Sequence, residues 1–113
     1  MSRLEQVDGT NWREFVQAPV AVLVIGKSDC PACGSWSEEL EQFLAEDKDW
    51  THVRFGKMLV DKAGLIDFKR ASLWLADVDE LPFNQIYLKG ERSKAYPGGG
   101  IERLLSRLRA LAA

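Results

Sequence analysis

The two cysteines of the chain, Cys30 and Cys33, are separated by two residues in the stretch "DCPACGSW". Thiols at this spacing can join in a disulfide, and one can displace a substrate held by the other. They could also be zinc ligands or inert, buried apolar side chains. A closed zinc site needs further ligands, and only one histidine, His52, could supply a nitrogen. We therefore interpret the pair as redox-active and expect no bound metal.

The first of the two residues between the cysteines indicates how the thiols are positioned. Pro31 suits the first turn of a helix, where a backbone N–H would have no partner. Cys30 would then lie at the helix N-terminus, where free N–H groups and the helix dipole stabilise an anion. Cys33 would lie one turn further along, close enough to attack a mixed disulfide on Cys30. The spacing predicts that Cys30 is the nucleophile and Cys33 the resolving thiol.

The surrounding pattern predicts elements in the order β-α-β-α-β-α-β-β-α. The predicted strands are residues 4–7, 19–26, 53–60, 84–88 and 92–96. Helices are predicted over residues 8–17, with Thr10 as the cap, from Pro31 onwards, and over 62–76 and 100–112. In the helix over 62–76, the residues predicted to be buried are Leu65, Phe68, Leu73 and Trp74. This order implies an α/β fold with a mixed sheet and helices on both faces. Sites in such sheets lie beyond the carboxyl ends of parallel strands, where Cys30 falls.

Composition limits the kind of protein this is. At 113 residues and 46% hydrophobic, the chain fits a single domain over 1–113, which we expect to be a monomer. A net charge of −2 argues against a nucleic-acid partner. The longest apolar stretch, Ala18 to Gly26, is far shorter than the roughly 20 residues that span a membrane. The N-terminus lacks the pattern of a secretory signal, so we expect a cytoplasmic protein.

Two long stretches of the sequence carry a family resemblance. "VDGTNWREFVQAPVAVLVIGKSDCPAC" is similar to the opening part of thioredoxins, and "LPFNQIYLKGERSKAYPGGG" is similar to their closing part. The chain thus resembles the thioredoxin superfamily over nearly its whole length. The resemblance implies a thioredoxin-like fold, a thiol-disulfide oxidoreductase activity without a cofactor, a disulfide-containing protein substrate and an electron donor.

The same resemblance implies where a substrate binds. Leu81-Pro82 would be a cis peptide facing the cysteines, and Leu81 would offer its backbone to an extended partner chain. Gly98 lacks a side chain and would let the partner backbone come close. The implied substrate-binding residues are Pro31, Ala32, Leu81, Pro82 and Gly98.

The chain also departs from the family pattern. Thioredoxins usually read W-C-G-P-C, whereas Pro-Ala inside the motif is closer to glutaredoxins and the periplasmic disulfide oxidants. The Thr-Val-Pro of glutaredoxins is replaced by Glu80-Leu81-Pro82. The buried aspartate of thioredoxins, thought to handle the proton of the second cysteine, has Val24 as its counterpart. The segment 61–82 is longer than in ordinary thioredoxins, which predicts a distinct rim on the site.

Three charged residues could tune the thiols. Asp29 could raise the pKa of Cys30, or be a solvated helix cap. Lys57 could favour a thiolate, or rest its stem on the sheet with its charge in water. Asp61 could replace the missing aspartate through a water molecule.

The sequence leaves rival functions open. One is a non-catalytic docking module that uses the Leu81-Pro82 face. Another is a redox sensor whose oxidation changes what its surface binds. A glutathione-dependent enzyme is a variant of the oxidoreductase.

Overall fold

The structure, a computed structural model, describes residues 2–112. The strands are β1 (Leu4–Gln6), β2 (Ala21–Gly26), β3 (Arg54–Leu59), β4 (Phe83–Leu88) and β5 (Glu91–Pro97). The helices are α1 (Trp12–Val16), α2 (Pro31–Glu46), α3 (Ile66–Ala71), a 3₁₀ helix (Leu73–Asp77) and α4 (Ile101–Ala112). Met1 and Ala113 of the predicted domain lie outside the described residues. No helix within residues 2–112 is long and apolar enough to cross a membrane.

The five strands form one mixed sheet in the order β1-β3-β2-β4-β5. Strands β1, β3 and β2 are parallel, whereas β4 runs antiparallel to β2 and to β5. The predicted mixed sheet is therefore confirmed. Because β2 and β4 run in opposite directions, the end of β2 meets the start of β4, and Ile25 pairs with Phe83. This pairing brings the chain around Cys30 to the same edge of the sheet as the chain around Pro82.

Strand β2 is buried on both faces, as its continuous apolar run predicts. Val22 and Val24 belong to the apolar cluster formed with α2 and α4. The alternate residues Ala21, Leu23 and Ile25 belong to the cluster formed with α1 and α3. Helices therefore cover both faces of the sheet, and the strand that leads to Cys30 is held between them.

The predicted helix over 62–76 is wrong in its extent, because α3 begins only at Ile66, and in two of its four predicted buried residues, because Leu73 is exposed and Trp74 is half-buried. Helix α3 ends at Ala71, because Ser72 adopts a non-helical backbone with φ −126° and ψ 64°. Leu73, predicted to be buried, is 79% exposed. Trp74 instead packs its ring against Phe83, with centroids 6.2 Å apart. The break in the helix turns Trp74 towards the sheet and leaves Leu73 in solvent.

The predicted cap of the first helix is also wrong. Asn11 occupies the N-cap position of α1, and no side chain caps the helix. The hydroxyl of Thr10 donates to the carboxylate of Asp8 at 2.6 Å. Thr10 therefore stabilises the turn before the helix.

Candidate active site

The cysteine pair lies at the start of α2. Cys30 is the N-cap residue and Pro31 is the first helical residue. The backbone N–H of Cys33 donates to the sulfur of Cys30 at 3.1 Å. The two sulfurs form a disulfide across a Cα–Cα distance of 5.2 Å. Cys30 is partly exposed, whereas Cys33 is only 5% exposed. A substrate can therefore reach Cys30, and Cys33 lies behind it.

A cavity of about 150 Å³ lies beside the disulfide. Both cysteines, Val24 and Lys57 line it, and Val24 and Lys57 are paired neighbours on β2 and β3. The hydroxyl-bearing Ser37 lines it as well, but no aspartate or glutamate among the described residues does. Val24, the counterpart of the buried aspartate of thioredoxins, therefore lines the cavity beside the disulfide, and Lys57 lines the same cavity.

The Leu81-Pro82 peptide is cis, and Pro82 is buried while Leu81 is half-buried. In the described part of the chain, no hydrogen bond involves the backbone of Leu81. Gly98, with φ at +90°, donates its N–H to the carbonyl of Pro82 at 2.8 Å. Gly98 is therefore held against Pro82, and the predicted binding of a partner chain by the backbone of Leu81 stays a prediction.

The 3₁₀ helix forms one side of a second cavity, of about 250 Å³, at this edge. Leu75 and Val78 line it together with Leu81. Lys27 lines both this cavity and the one beside the disulfide. The long segment before Pro82 thus borders the cysteine site, where the sequence predicted a rim.

Of the three predicted tuning residues, only Lys57 lines the cavity beside the cysteines. Asp29 is exposed and is not the helix cap, because Cys30 takes that position. The carboxylate of Asp61 accepts hydrogen bonds from the backbone N–H of Ser28, at 3.2 Å, and from its hydroxyl, at 3.3 Å. Asp61 therefore anchors the loop before Cys30, and its role in place of the missing aspartate stays a prediction.

Two opposing effects act on the pKa of the Asp61 carboxyl, and the net effect lowers it. Desolvation works to raise the pKa of its carboxyl, but the hydrogen bonds from Ser28 favour the charged form and lower the pKa overall. The loop anchor is therefore present at neutral pH.

The remaining predicted residues lie around the pair. Pro31 and Ala32 are exposed on the first turn of α2. His52 is exposed and stacks on Trp50, with ring centroids 5.9 Å apart. Within residues 2–112, no group of three or more histidine, cysteine, aspartate or glutamate side chains is arranged to hold a metal ion.

Sequence reasoning missed the role of Asn84, which is fully buried on β4. Its Oδ1 accepts a hydrogen bond from Nε1 of the buried Trp36 at 2.9 Å. The signal in the sequence is the amide side chain of Asn84 within the strand "FNQIYL", because an amide buried in a sheet needs hydrogen-bond partners.

Comparison with solved structures assigns the fold. Thioredoxin f2 from Chlamydomonas reinhardtii is 20% identical, with a TM-score of 0.74 over 95% of this chain and 94% of that one. Thioredoxin f from spinach chloroplast is 16% identical, with a TM-score of 0.77 over 97% and 87%. A complex of ferredoxin:thioredoxin reductase and thioredoxin f2 matches at 15% identity, with a TM-score of 0.75 over 97% and 96%. No protein-family model and no curated protein matches the sequence.

These likenesses show that the chain has the thioredoxin fold. The predicted fold class is thus confirmed. The fold and the Cys30–Cys33 pair together agree with the resemblance of the sequence to the thioredoxin superfamily.

Proposed function

We propose that the protein is a thiol-disulfide oxidoreductase that reduces or exchanges disulfides in protein substrates. One observation carries this proposal: Cys30 is accessible at a helix N-terminus, its sulfur accepts the N–H of Cys33, and Cys33 is close enough to bond to it. The amide and the helix dipole favour a thiolate on Cys30, which is the reactive form. The thioredoxin fold supports the same class of reaction.

The reaction proceeds by two exchanges of sulfur. The thiolate of Cys30 attacks the substrate disulfide, so that one substrate sulfur leaves as a thiolate and the other is bonded to Cys30. Cys33 then loses its proton and attacks the sulfur of Cys30. The second substrate sulfur leaves as a thiolate, and Cys30 and Cys33 become a disulfide. Two electrons pass from the dithiol to the substrate, and no metal or organic cofactor takes part.

The proton of Cys33 is lost in a cavity that contains Lys57 and no carboxylate among the described residues. A neighbouring ammonium favours the charged form of a thiol. We assign Lys57 the role of stabilising the thiolate of Cys33 during the second exchange. A water molecule in the cavity can accept the proton, since a volume of about 150 Å³ is large enough to hold one.

The oxidised pair must be reduced again by an electron donor. A thioredoxin f2 has been seen in complex with ferredoxin:thioredoxin reductase. By analogy, we propose that a reductase supplies electrons to this chain through the partly exposed Cys30. We also propose that the protein acts as a monomer in the cytoplasm, where the pair would cycle between its two states.

Reduction of insulin by dithiothreitol tests the activity. The wild-type protein should accelerate the reaction, and Cys30→Ser should reduce the rate to that of dithiothreitol alone. Equal rates for the two proteins would refute the proposal.

Substitution of the resolving thiol separates the enzyme from its rivals. Cys33→Ser should trap covalent complexes with protein substrates, which dithiothreitol releases. A docking module would bind its partner equally well with both cysteines replaced by serine. A redox sensor would show different partner affinities in its oxidised and reduced forms without turnover.

A further inference from the structure

The side chain of Asn84 joins three parts of the molecule. Besides accepting from Trp36, its Nδ2 donates to the carbonyl of Tyr96 at 3.2 Å and to that of Gly98 at 2.7 Å. An asparagine amide has two N–H donors, and both are used. Asn84 therefore connects α2 to the end of β5 and to the residues 98–100 that follow it, which we call the glycine segment.

The connection continues to the cis peptide. The N–H of Gly98 donates to the carbonyl of Pro82 at 2.8 Å. The backbone of Gly99 also lies against the Trp36 ring, since a methyl group at residue 99 would be 3.2 Å from its Cδ2 atom. Trp36 is thus linked to the glycine segment in two ways: its ring contacts Gly99 directly, and its Nε1 is hydrogen-bonded to Asn84, which in turn is hydrogen-bonded to Gly98.

Trp36 lies three residues after Cys33 on α2, so this set of contacts joins the helix of the cysteines to the loop around Pro82. Trp36 is 3% exposed and Asn84 is fully buried, and buried hydrogen bonds hold their partners in a fixed arrangement. None of the hydrogen bonds of Trp36 or Asn84 involves either sulfur.

We propose that Trp36 and Asn84 are positioning residues for protein substrates. They fix the backbone at Leu81 and Gly98 at a set distance from Cys30, so that an extended chain bound there presents its disulfide to the sulfur. This inference rests on the proposed function. Since no hydrogen bond of Trp36 or Asn84 reaches a sulfur, we expect these two residues to affect the binding of an extended polypeptide and to leave the intrinsic chemistry of the disulfide unchanged.

Trp36→Phe tests the inference, because it removes one N–H donor and keeps an aromatic ring. The KM for insulin should rise about five-fold, which corresponds to one lost hydrogen bond. The kcat should stay within about two-fold of the wild type, as expected when binding is lost equally from ground and transition states. The rate with the small disulfide 5,5′-dithiobis(2-nitrobenzoate) and the reduction potential should not change.

Two further variants sharpen the test. Trp50→Phe is the matched control, because Trp50 packs against the same apolar cluster but stacks on His52, away from the cysteines. It should leave the KM for insulin unchanged. Gly99→Ala removes no hydrogen-bonding group and places a methyl group 3.2 Å from the Trp36 ring, so that the ring or the glycine segment must shift slightly. It should raise the KM for insulin alone, as Trp36→Phe does.

Parallel losses with insulin and the small disulfide would overturn the inference, and so would an unchanged KM for insulin. If Trp36→Phe does not fold, the same criteria apply to Gly99→Ala. A wild-type protein no faster than Cys30→Ser would instead refute the proposed function itself. If the wild type is active but Trp36→Phe and Gly99→Ala have the KM of the wild type for insulin, only the positioning role is refuted.

Discussion

The backbone of Gly26 lies directly against Cys33: a methyl group at residue 26 would be 3.1 Å from the Cβ and 3.2 Å from the sulfur of Cys33. Gly26 is the last residue of β2, and its carbonyl accepts the N–H of Val60 at 2.9 Å. The strand cannot move away from the helix without breaking its pairing. A glycine at this position therefore allows the resolving sulfur to lie close to the sheet.

Gly26→Ala should slow the second sulfur exchange, because the new methyl group displaces Cys33 from Cys30. We expect insulin reduction to fall about ten-fold, which is a change of about 1.4 kcal/mol in the activation barrier. Mass spectrometry of quenched reactions should show more mixed disulfide on Cys30. Gly34→Ala is the matched control, since nothing lies within 4 Å of the added methyl group. Equal activity of the two variants would contradict the prediction.

Lys57→Met should move the pH dependence of insulin reduction to higher pH. Lys57 lines the same cavity as Cys33, and we propose that its positive charge favours the Cys33 thiolate, so its removal means that a higher pH is needed to form that thiolate. The measurement is the initial rate between pH 6 and pH 9, where an effect of about three-fold at neutral pH is expected. Lys62→Met, a change at an exposed residue outside this cavity, should leave the profile unchanged.

Trp74→Ala should reduce the free energy of unfolding by about 2 kcal/mol, less than the loss of a fully buried tryptophan. The Trp74 ring stacks on Phe83, and the guanidinium of Arg92 lies 4.3 Å from its centroid. Leu73→Ala, next to it in the chain, should change stability by less than about 0.5 kcal/mol because Leu73 is exposed. Urea unfolding of both variants checks this pair, and a larger loss at Leu73 would contradict the structure.

Tyr87 should make the protein sensitive to alkali. Burial raises the pKa of its phenol from 10.0 to about 12, against the opposing charge of Arg92. Between these values the unfolded tyrosine ionises while the folded one keeps its proton, so stability falls as pH rises, by about 1.4 kcal/mol per pH unit. Burial also raises the pKa of Tyr96 and adds to the slope.

Tyr87→Phe should therefore flatten the loss of stability above pH 10 without abolishing it. Urea unfolding at pH 9, 10 and 11 would measure the slope for both proteins. An identical slope in the variant and the wild type would show that Tyr87 does not titrate in this range.

Local patterns in the sequence predicted the parts of the fold that are set by local chemistry. Pro31 begins a helix because it needs no hydrogen-bond partner, and the β-branched run of β2 requires cover on both faces. The placement of Cys30 follows from these two elements. Helical spacing over 62–76 failed because Trp74 gains contacts with Phe83, far away in sequence, by leaving the helical path.

Side-chain partners across the sheet could not be predicted in the same way. The hydrogen bonds from Ser28 to Asp61 join the ends of β2 and β3, and only the register of these strands brings the two residues within reach. The link from Trp36 to Asn84 spans 48 residues and depends on how α2 packs on β4. Such contacts follow from the assembled fold and are not marked by sequence spacing.

The meeting of β2 and β4 at one edge concentrates the proposed chemistry on two adjacent strands. The cysteines follow one of them, and the cis peptide precedes the other. Strand β1 and helices α1 and α3 contribute no residue to the cavity beside the disulfide, so substitutions in them should alter the stability of the protein more than its thiol chemistry.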